Sequence, residues 1–127
     1  MNNTCVCTID SASDADPAEF YAKKFVTARR EHVCEECGCK ILPGHRYERI
    51  CGKWESGIEV HKTCMACVEI RDCYFCSWLF GEVWNDIEQE VRGDNLPTGN
   101  LAELSKEALL KLAEFLDPIW AEMDDEL

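Results

Sequence analysis

Two Cys-x-x-Cys pairs are the residues of this chain with the clearest chemistry. Cys34 and Cys37 form the first pair, Cys64 and Cys67 form the second, and 26 residues separate Cys37 from Cys64. Four thiolates at this spacing can close a tetrahedral shell around one Zn²⁺ ion. The segment between the pairs is long enough for a β-hairpin and little else. The spacing therefore predicts a small domain built around zinc.

A histidine offers an alternative ligand for the same ion. His61 and Cys64 also have ligand spacing, and the set Cys34, Cys37, His61 and Cys64 resembles LIM-type and poly(ADP-ribose)-polymerase-type fingers. That set would leave Cys67 unused. We favour the four-cysteine set, because thiolates bind zinc tightly and both pairs are then used.

Six further cysteines bring the total to ten. Four of them could form a second zinc site: Cys5, Cys7, Cys73 and Cys76. His32 is an alternative fourth ligand there, and Cys76 could instead be a small buried residue on a helix face. Cys39 and Cys51 are expected to be bystanders.

The cysteines could also form disulfides, since ten is an even number. The N-terminus, however, has no basic region followed by an apolar region, so it does not resemble a secretory signal. No run of 18 apolar residues is present that could span a membrane. We therefore expect a cytoplasmic protein, whose cysteines stay reduced and bind metal.

The elements that must position these cysteines can be predicted in part. Residues 45–50 and 58–61 alternate in polarity and predict a β-hairpin with a loop over residues 52–57. The second Cys pair opens a helical pattern over residues 62–92, which Gly81 interrupts. This is the order of elements in a treble-clef zinc finger: a tight turn with the first Cys pair, here called the knuckle, then a β-hairpin, then a helix that carries the second pair. The predicted fold class is therefore a small zinc-bound α+β domain, treble-clef-like, with a long helix.

The flanking segments are less regular. Residues 8–19 predict a loop, and residues 20–30 fit either a strand or a short helix. A second helix is predicted over residues 101–116, and Asp117-Pro118 could begin a final turn. We divide the chain into an acidic N-terminal segment with Cys-x-Cys (1–19), a treble-clef-like zinc domain (20–92) and an acidic helical extension (93–127).

Charge is distributed unevenly along the chain, whose formal net charge is −12. Residues 81–127 hold three bases and thirteen acids, whereas residues 20–80 hold ten bases and eight acids. This balance argues against general binding of a phosphate backbone, which requires a basic surface. A nucleic-acid-binding zinc finger stays the alternative, because several bases lie near Tyr47 and Trp54: Lys23, Lys24, Arg29, Arg30, Lys40, Arg46, Arg49 and Lys53.

Catalytic residues are not evident in the sequence. Treble-clef HNH nucleases carry a catalytic histidine at the end of the first hairpin strand and a metal-binding histidine on the helix. Here that strand ends Arg49-Ile50-Cys51, and residues 62–92 contain no histidine. Redox Cys-x-x-Cys motifs normally occur singly. We expect a structural zinc site and no enzyme activity.

Protein binding is the function that the sequence favours. An exposed tryptophan is a typical hot-spot residue, and Trp54 is expected in the hairpin loop. The acidic helices could cover a basic groove on a partner. The predicted partner-binding residues are Lys53, Trp54, Glu55, Glu82 and Asp86.

The chain also resembles a group of small phage- and prophage-encoded proteins that share an N-terminal Cys-x-Cys and this four-cysteine core. The likeness covers residues 5–92 and includes residues 29–38, 43–48, Lys62-Thr63-Cys64 and Ile70-Arg71-Asp72. It implies a bacterial cytoplasm and a host protein as the partner. Small phage proteins often disable host proteins, including defence nucleases and transcription machinery. The resemblance thus implies an inhibitor or modulator of a host complex that handles nucleic acid.

Overall fold

A three-stranded antiparallel sheet forms the centre of the fold. The computed structural model describes residues 9–10, 20–96 and 102–125. Strands β2 (Phe20–Thr27), β5 (Arg46–Trp54) and β6 (Gly57–Cys64) lie in the order β2-β5-β6. The ambiguous segment after residue 19 is thus a strand, because it pairs along its whole length with β5.

The predicted hairpin is present, with longer strands and a shorter connection. β5 continues to Trp54, which pairs with Gly57, so only Glu55 and Ser56 form the turn. Gly57 has a φ of 120°, a conformation that favours glycine. Trp54 therefore belongs to the end of a strand and not to a flexible loop.

The first Cys pair lies in a tight turn between two short strands, β3 (His32–Val33) and β4 (Lys40–Ile41). The backbone N–H of Gly38 donates to the carbonyl of Cys34 over 2.9 Å, and Gly38 has a φ of 74°. A side chain at this position would be strained, which explains the glycine directly after Cys37.

The single long helix predicted over residues 62–92 is wrong. Helix α1 (Met65–Tyr74) ends in strand β7 (Phe75–Ser77), and helix α2 (Val83–Arg92) begins after a loop that contains Gly81. β7 pairs in parallel with strand β1 (Ile9–Asp10), within the segment expected to be a loop. The local sequence favours a helix on both sides of β7. The pairing of β7 with β1, which is distant in sequence, outweighs that preference.

Helix α3 (Lys106–Asp125) is continuous, so Pro118 does not begin a separate final turn. A proline inside a helix removes one backbone hydrogen bond, to the carbonyl four residues earlier at Glu114. Both Glu114 and Pro118 are exposed. Water can therefore satisfy that carbonyl, which limits the cost of the proline.

One hydrophobic cluster contains residues of the sheet, of the knuckle and of helices α1, α2 and α3. It contains Ile41 of β4, Ile70 of α1, Ile87 of α2 and Leu112 of α3. The proposed boundary at residue 93 stays a prediction, although α3 shares this core. No helix among the described residues is long and apolar enough to cross a membrane.

Candidate metal centre

Four cysteine sulfurs meet where the knuckle approaches the start of α1. Cys34 and Cys37 lie in the knuckle, Cys64 ends β6 and caps α1, and Cys67 lies in the first turn of that helix. Their sulfurs all lie within 4.8 Å of one another, and those of Cys37 and Cys64 are 3.9 Å apart. Tetrahedral Zn–S bonds of about 2.3 Å would place the sulfurs about 3.8 Å apart. The cluster suits a metal ion such as zinc.

Hydrogen bonds among the four sulfurs shift their pKa values in opposite directions. Hydrogen bonds from Cys34 and Cys64 lower the pKa of Cys37. Hydrogen bonding with Cys34 and Cys37 raises the pKa values of Cys64 and Cys67. Four thiolates this close repel one another, so all four can ionise only beside a positive charge. A divalent cation supplies that charge, which is why metal binding to cysteine releases protons.

Donors from α2 and α3 surround the sulfurs. The indole Nε1–H of Trp84 donates to Sγ of Cys67 over 3.3 Å, and Nζ of Lys111 lies 3.4 Å from Sγ of Cys37 and 3.6 Å from Sγ of Cys39. Burial lowers the pKa of Lys111, but the charges of Cys37, Cys64 and Cys39 together outweigh burial, so that the pKa is raised. Sequence reasoning missed Trp84 and Lys111, because neither lies near a ligand in the chain. Such outer contacts orient metal ligands and tune their charge.

The alternative ligand His61 is bound elsewhere. Its Nδ1 lies 2.6 Å from a carboxylate oxygen of Glu35, and its Nε2 lies 3.2 Å from one of Glu59. Its ring also stacks on Phe80 with centroids 3.8 Å apart. Both ring nitrogens thus have carboxylate partners, and the four cysteines form the cluster without the histidine.

The second residue between the knuckle ligands, Glu36, ties the knuckle to α2. Its carboxylate accepts hydrogen bonds from the backbone N–H groups of Gly81 and Val83 over 2.8 and 3.1 Å. Burial raises the pKa of Glu36, and these two bonds oppose that effect. A carboxylate at a helix start satisfies N–H groups that have no partner within the helix.

Cys73 and Cys76 are disulfide-bonded, so they offer no thiolates for the predicted second zinc site, and these two cysteines do not follow the expectation that the cysteines stay reduced. The other two predicted ligands, Cys5 and Cys7, lie outside the described residues. The alternative ligand His32 lies outside the four-sulfur cluster, where its Nδ1 is 3.3 Å from Nζ of Lys62.

The predicted partner-binding residues lie in two places. Lys53 and Glu55 are exposed at the hairpin end, and Trp54 between them is half-buried, with its ring 5.6 Å from His61 and 6.0 Å from Phe80. Glu82 is exposed before α2, and Asp86 is half-buried within it.

Two tryptophans of the helices differ in burial. Trp84 of α2 is buried, whereas Trp120 of α3 is 49% exposed. The more exposed indole therefore belongs to the acidic helix and not to the hairpin.

Comparison with protein-family models, with curated proteins and with solved structures finds no match to the chain.

Proposed function

We propose that the protein is a non-enzymatic, zinc-stabilised module that binds another protein. The proposal that the metal is zinc rests on the four-thiolate set, which soft and borderline ions prefer. Four protein ligands also leave no open position for a substrate or a reactive water. A closed site of this kind stabilises a fold and does not perform catalysis.

The exposed indole of Trp120 within an acidic surface is the observation that carries the protein-binding role. Trp120 follows Asp117 by one helical turn, so the two side chains are neighbours on α3. Seven acidic residues of the described C-terminal part are exposed: Glu82, Asp94, Glu103, Glu107, Glu114, Asp117 and Glu122. Tryptophan is enriched at the energetic centre of protein interfaces, where polar and charged residues form the surrounding rim.

Few cations offset this acidic surface. Arg92 already bonds Glu88 and Glu122 over 3.0 and 2.9 Å, and Lys111 faces the thiolates. Charge complementarity therefore favours a partner with a basic surface. Proteins that handle nucleic acid have such surfaces. In the sharper form of the proposal, the chain is a phage-encoded inhibitor or modulator of such a host complex in a bacterial cytoplasm.

Capture from bacterial cytosol with a tagged chain tests this proposal, followed by titration of the purified partner. Replacement of a hot-spot aromatic costs about 2 kcal/mol, so Trp120→Ala should weaken binding about 30-fold. Tyr21→Ala is the matched control, because Tyr21 is also an exposed aromatic but lies on β2. Equal affinity of wild type and Trp120→Ala, or equal loss in both variants, would contradict the proposal.

A further inference from the structure

Three cations lie side by side across the central sheet. Lys24 of β2 is the register partner of Arg49 of β5, and Arg49 is the register partner of Lys62 of β6. Register partners in an antiparallel sheet point to the same face, with Cβ atoms about 5 Å apart. Like charges directly opposite each other destabilise a sheet. This row, Lys24-Arg49-Lys62, therefore costs stability unless an anion neutralises it.

The sheet face that carries the row contains no acidic strand residue among the described side chains. Besides the row, the described positions on this face are Ala22, Val26, Tyr47, Cys51, Lys53, Ile58, Val60 and Cys64. The opposite face carries Glu48 and packs on α1 through the Glu48–Arg71 ion pair. The row thus lies on the side of the sheet that α1 leaves uncovered.

Cations of the row also lack acidic partners. Among the described residues, no carboxylate lies within salt-bridge distance of Lys24, Arg49 or Lys62. By contrast, Arg71 and Arg92 each bond carboxylates. A chain with 25 acids and 13 bases has ample carboxylates to neutralise three cations. Among the described side chains, none of these carboxylates pairs with the row.

A cavity beside the row adds one more cation, Arg30, which lies between β2 and β3. Arg30, His32, Tyr47, Arg49 and Lys62 line a cavity of about 460 Å³, together with Val33, Glu35 and Val60. The one carboxylate in this lining, that of Glu35, lies 2.6 Å from Nδ1 of His61. The cavity therefore presents a net positive lining to solvent.

We infer that the row and the adjoining cavity bind the phosphate backbone of a nucleic acid. A linear row of cations matches the spacing of a chain of phosphates. A single small anion would instead favour donors that converge on one point from several sides. Guanidinium groups at Arg30 and Arg49 can each bind one phosphate through two hydrogen bonds. The inference does not depend on the protein partner proposed above, because it concerns a different surface.

Fluorescence anisotropy with a labelled oligothymidine of about 20 nucleotides tests the inference, at about 50 to 200 mM salt. The test variant is Arg49→Gln/Lys62→Gln. Its control is Lys40→Gln/Lys106→Gln, which changes net charge equally at exposed lysines outside the row. Metal content and the unfolding midpoint establish that both variants fold.

Wild type and control should bind with a salt dependence that reports several phosphate contacts. Loss of two contacts should reduce the slope of log K against log salt by about 1.4, since each single-strand contact contributes about 0.7. No binding by wild type at the lowest salt, or equal loss in the control, would overturn the inference. Equal affinity for a phosphoserine peptide would overturn the assignment to nucleic acid.

Discussion

The sulfur of Cys34 shows how single residues join the two halves of the metal centre. It accepts a hydrogen bond from the backbone N–H of Cys64 over 3.3 Å. Cys64 is also the residue at which β6 ends and α1 begins. Cys64 therefore contributes a sulfur to the cluster, the residue that precedes α1, and a backbone donor to Sγ of Cys34.

Cys64→Ser should release the metal and unfold the domain. Zinc binding supplies on the order of 10 kcal/mol in small zinc modules, more than a domain of this size holds in reserve. Native mass spectrometry should show at least one zinc ion per wild-type chain, and circular dichroism should report the lost structure. Cys51→Ser is the control, because Cys51 is half-buried outside the cluster. A stably folded, metal-free Cys64→Ser chain would refute the structural role.

Residue-scale prediction from sequence succeeded where ligands lie close together in the chain. Two residues between ligands place both sulfurs of a pair on one side of a turn, so the four-cysteine cluster could be predicted. Trp84 and Lys111 could not, because their contacts with the sulfurs depend on the packing of α2 and α3. Burial of Trp54 likewise depends on Phe80, which lies on a different element.

At the scale of elements, a buried ion pair joins α1 to β5. Nη1 and Nη2 of Arg71 donate to the two carboxylate oxygens of Glu48 over 2.7 and 2.6 Å, and both side chains are fully buried. The guanidinium carbon also lies 4.1 Å from the ring centre of Trp78. The ion pair holds the second turn of α1 against β5.

Glu48→Ala should destabilise the metal-loaded protein by about 3–5 kcal/mol, because it removes the buried counter-ion of Arg71 and leaves the guanidinium only the exposed carboxylate of Asp72. Urea denaturation measures this loss. The double variant Glu48→Leu/Arg71→Met should recover most of it, since apolar residues can replace both charges. If the single and double variants are equally unstable, volume and not charge determines the effect.

The hairpin and the break after α1 show what sequence predicts at this scale. Alternating polarity predicted β5 and β6, because one face of each strand packs on α1. The helical pattern after residue 74 was misleading, since β7 exists through pairing with β1, which lies far away in sequence. The sequence predicts that Asp117-Pro118 could begin a final turn, whereas packing of α3 on both sides of Pro118 keeps the helix continuous.

For the whole molecule, the hydrophobic cluster contains residues of α3 together with residues of the knuckle and of α1, so we expect α3 to unfold together with the metal site. Leu112→Ala should cost about 2–5 kcal/mol, because Leu112 is buried in that core. The loss should appear as one transition, with metal released at the same urea concentration at which helix is lost. Leu110→Ala is the matched control, since Leu110 lies on the same helix but is 55% exposed. Separate transitions for helix loss and metal release would show that α3 folds independently.

Net charge describes this molecule poorly, because the sheet and the helices divide the charge between surfaces. The total of −12 argues against general binding of a phosphate backbone. Strand register, which the sequence did not reveal, brings Lys24, Arg49 and Lys62 into one row. Residues 81–127 hold thirteen of the 25 acids and only three bases.

The contacts around the sulfurs also bear on how long a metal ion stays bound. Cys67 of α1, Trp84 of α2 and Lys111 of α3 all meet at the cluster. Cys34 and Cys67 are buried, whereas Cys37 and Cys64 are partly exposed, so an incoming chelator would reach the latter two first. Release of a bound ion would also require the buried sulfurs to open, and exchange should therefore slow as the packing of α2 against Cys67 tightens.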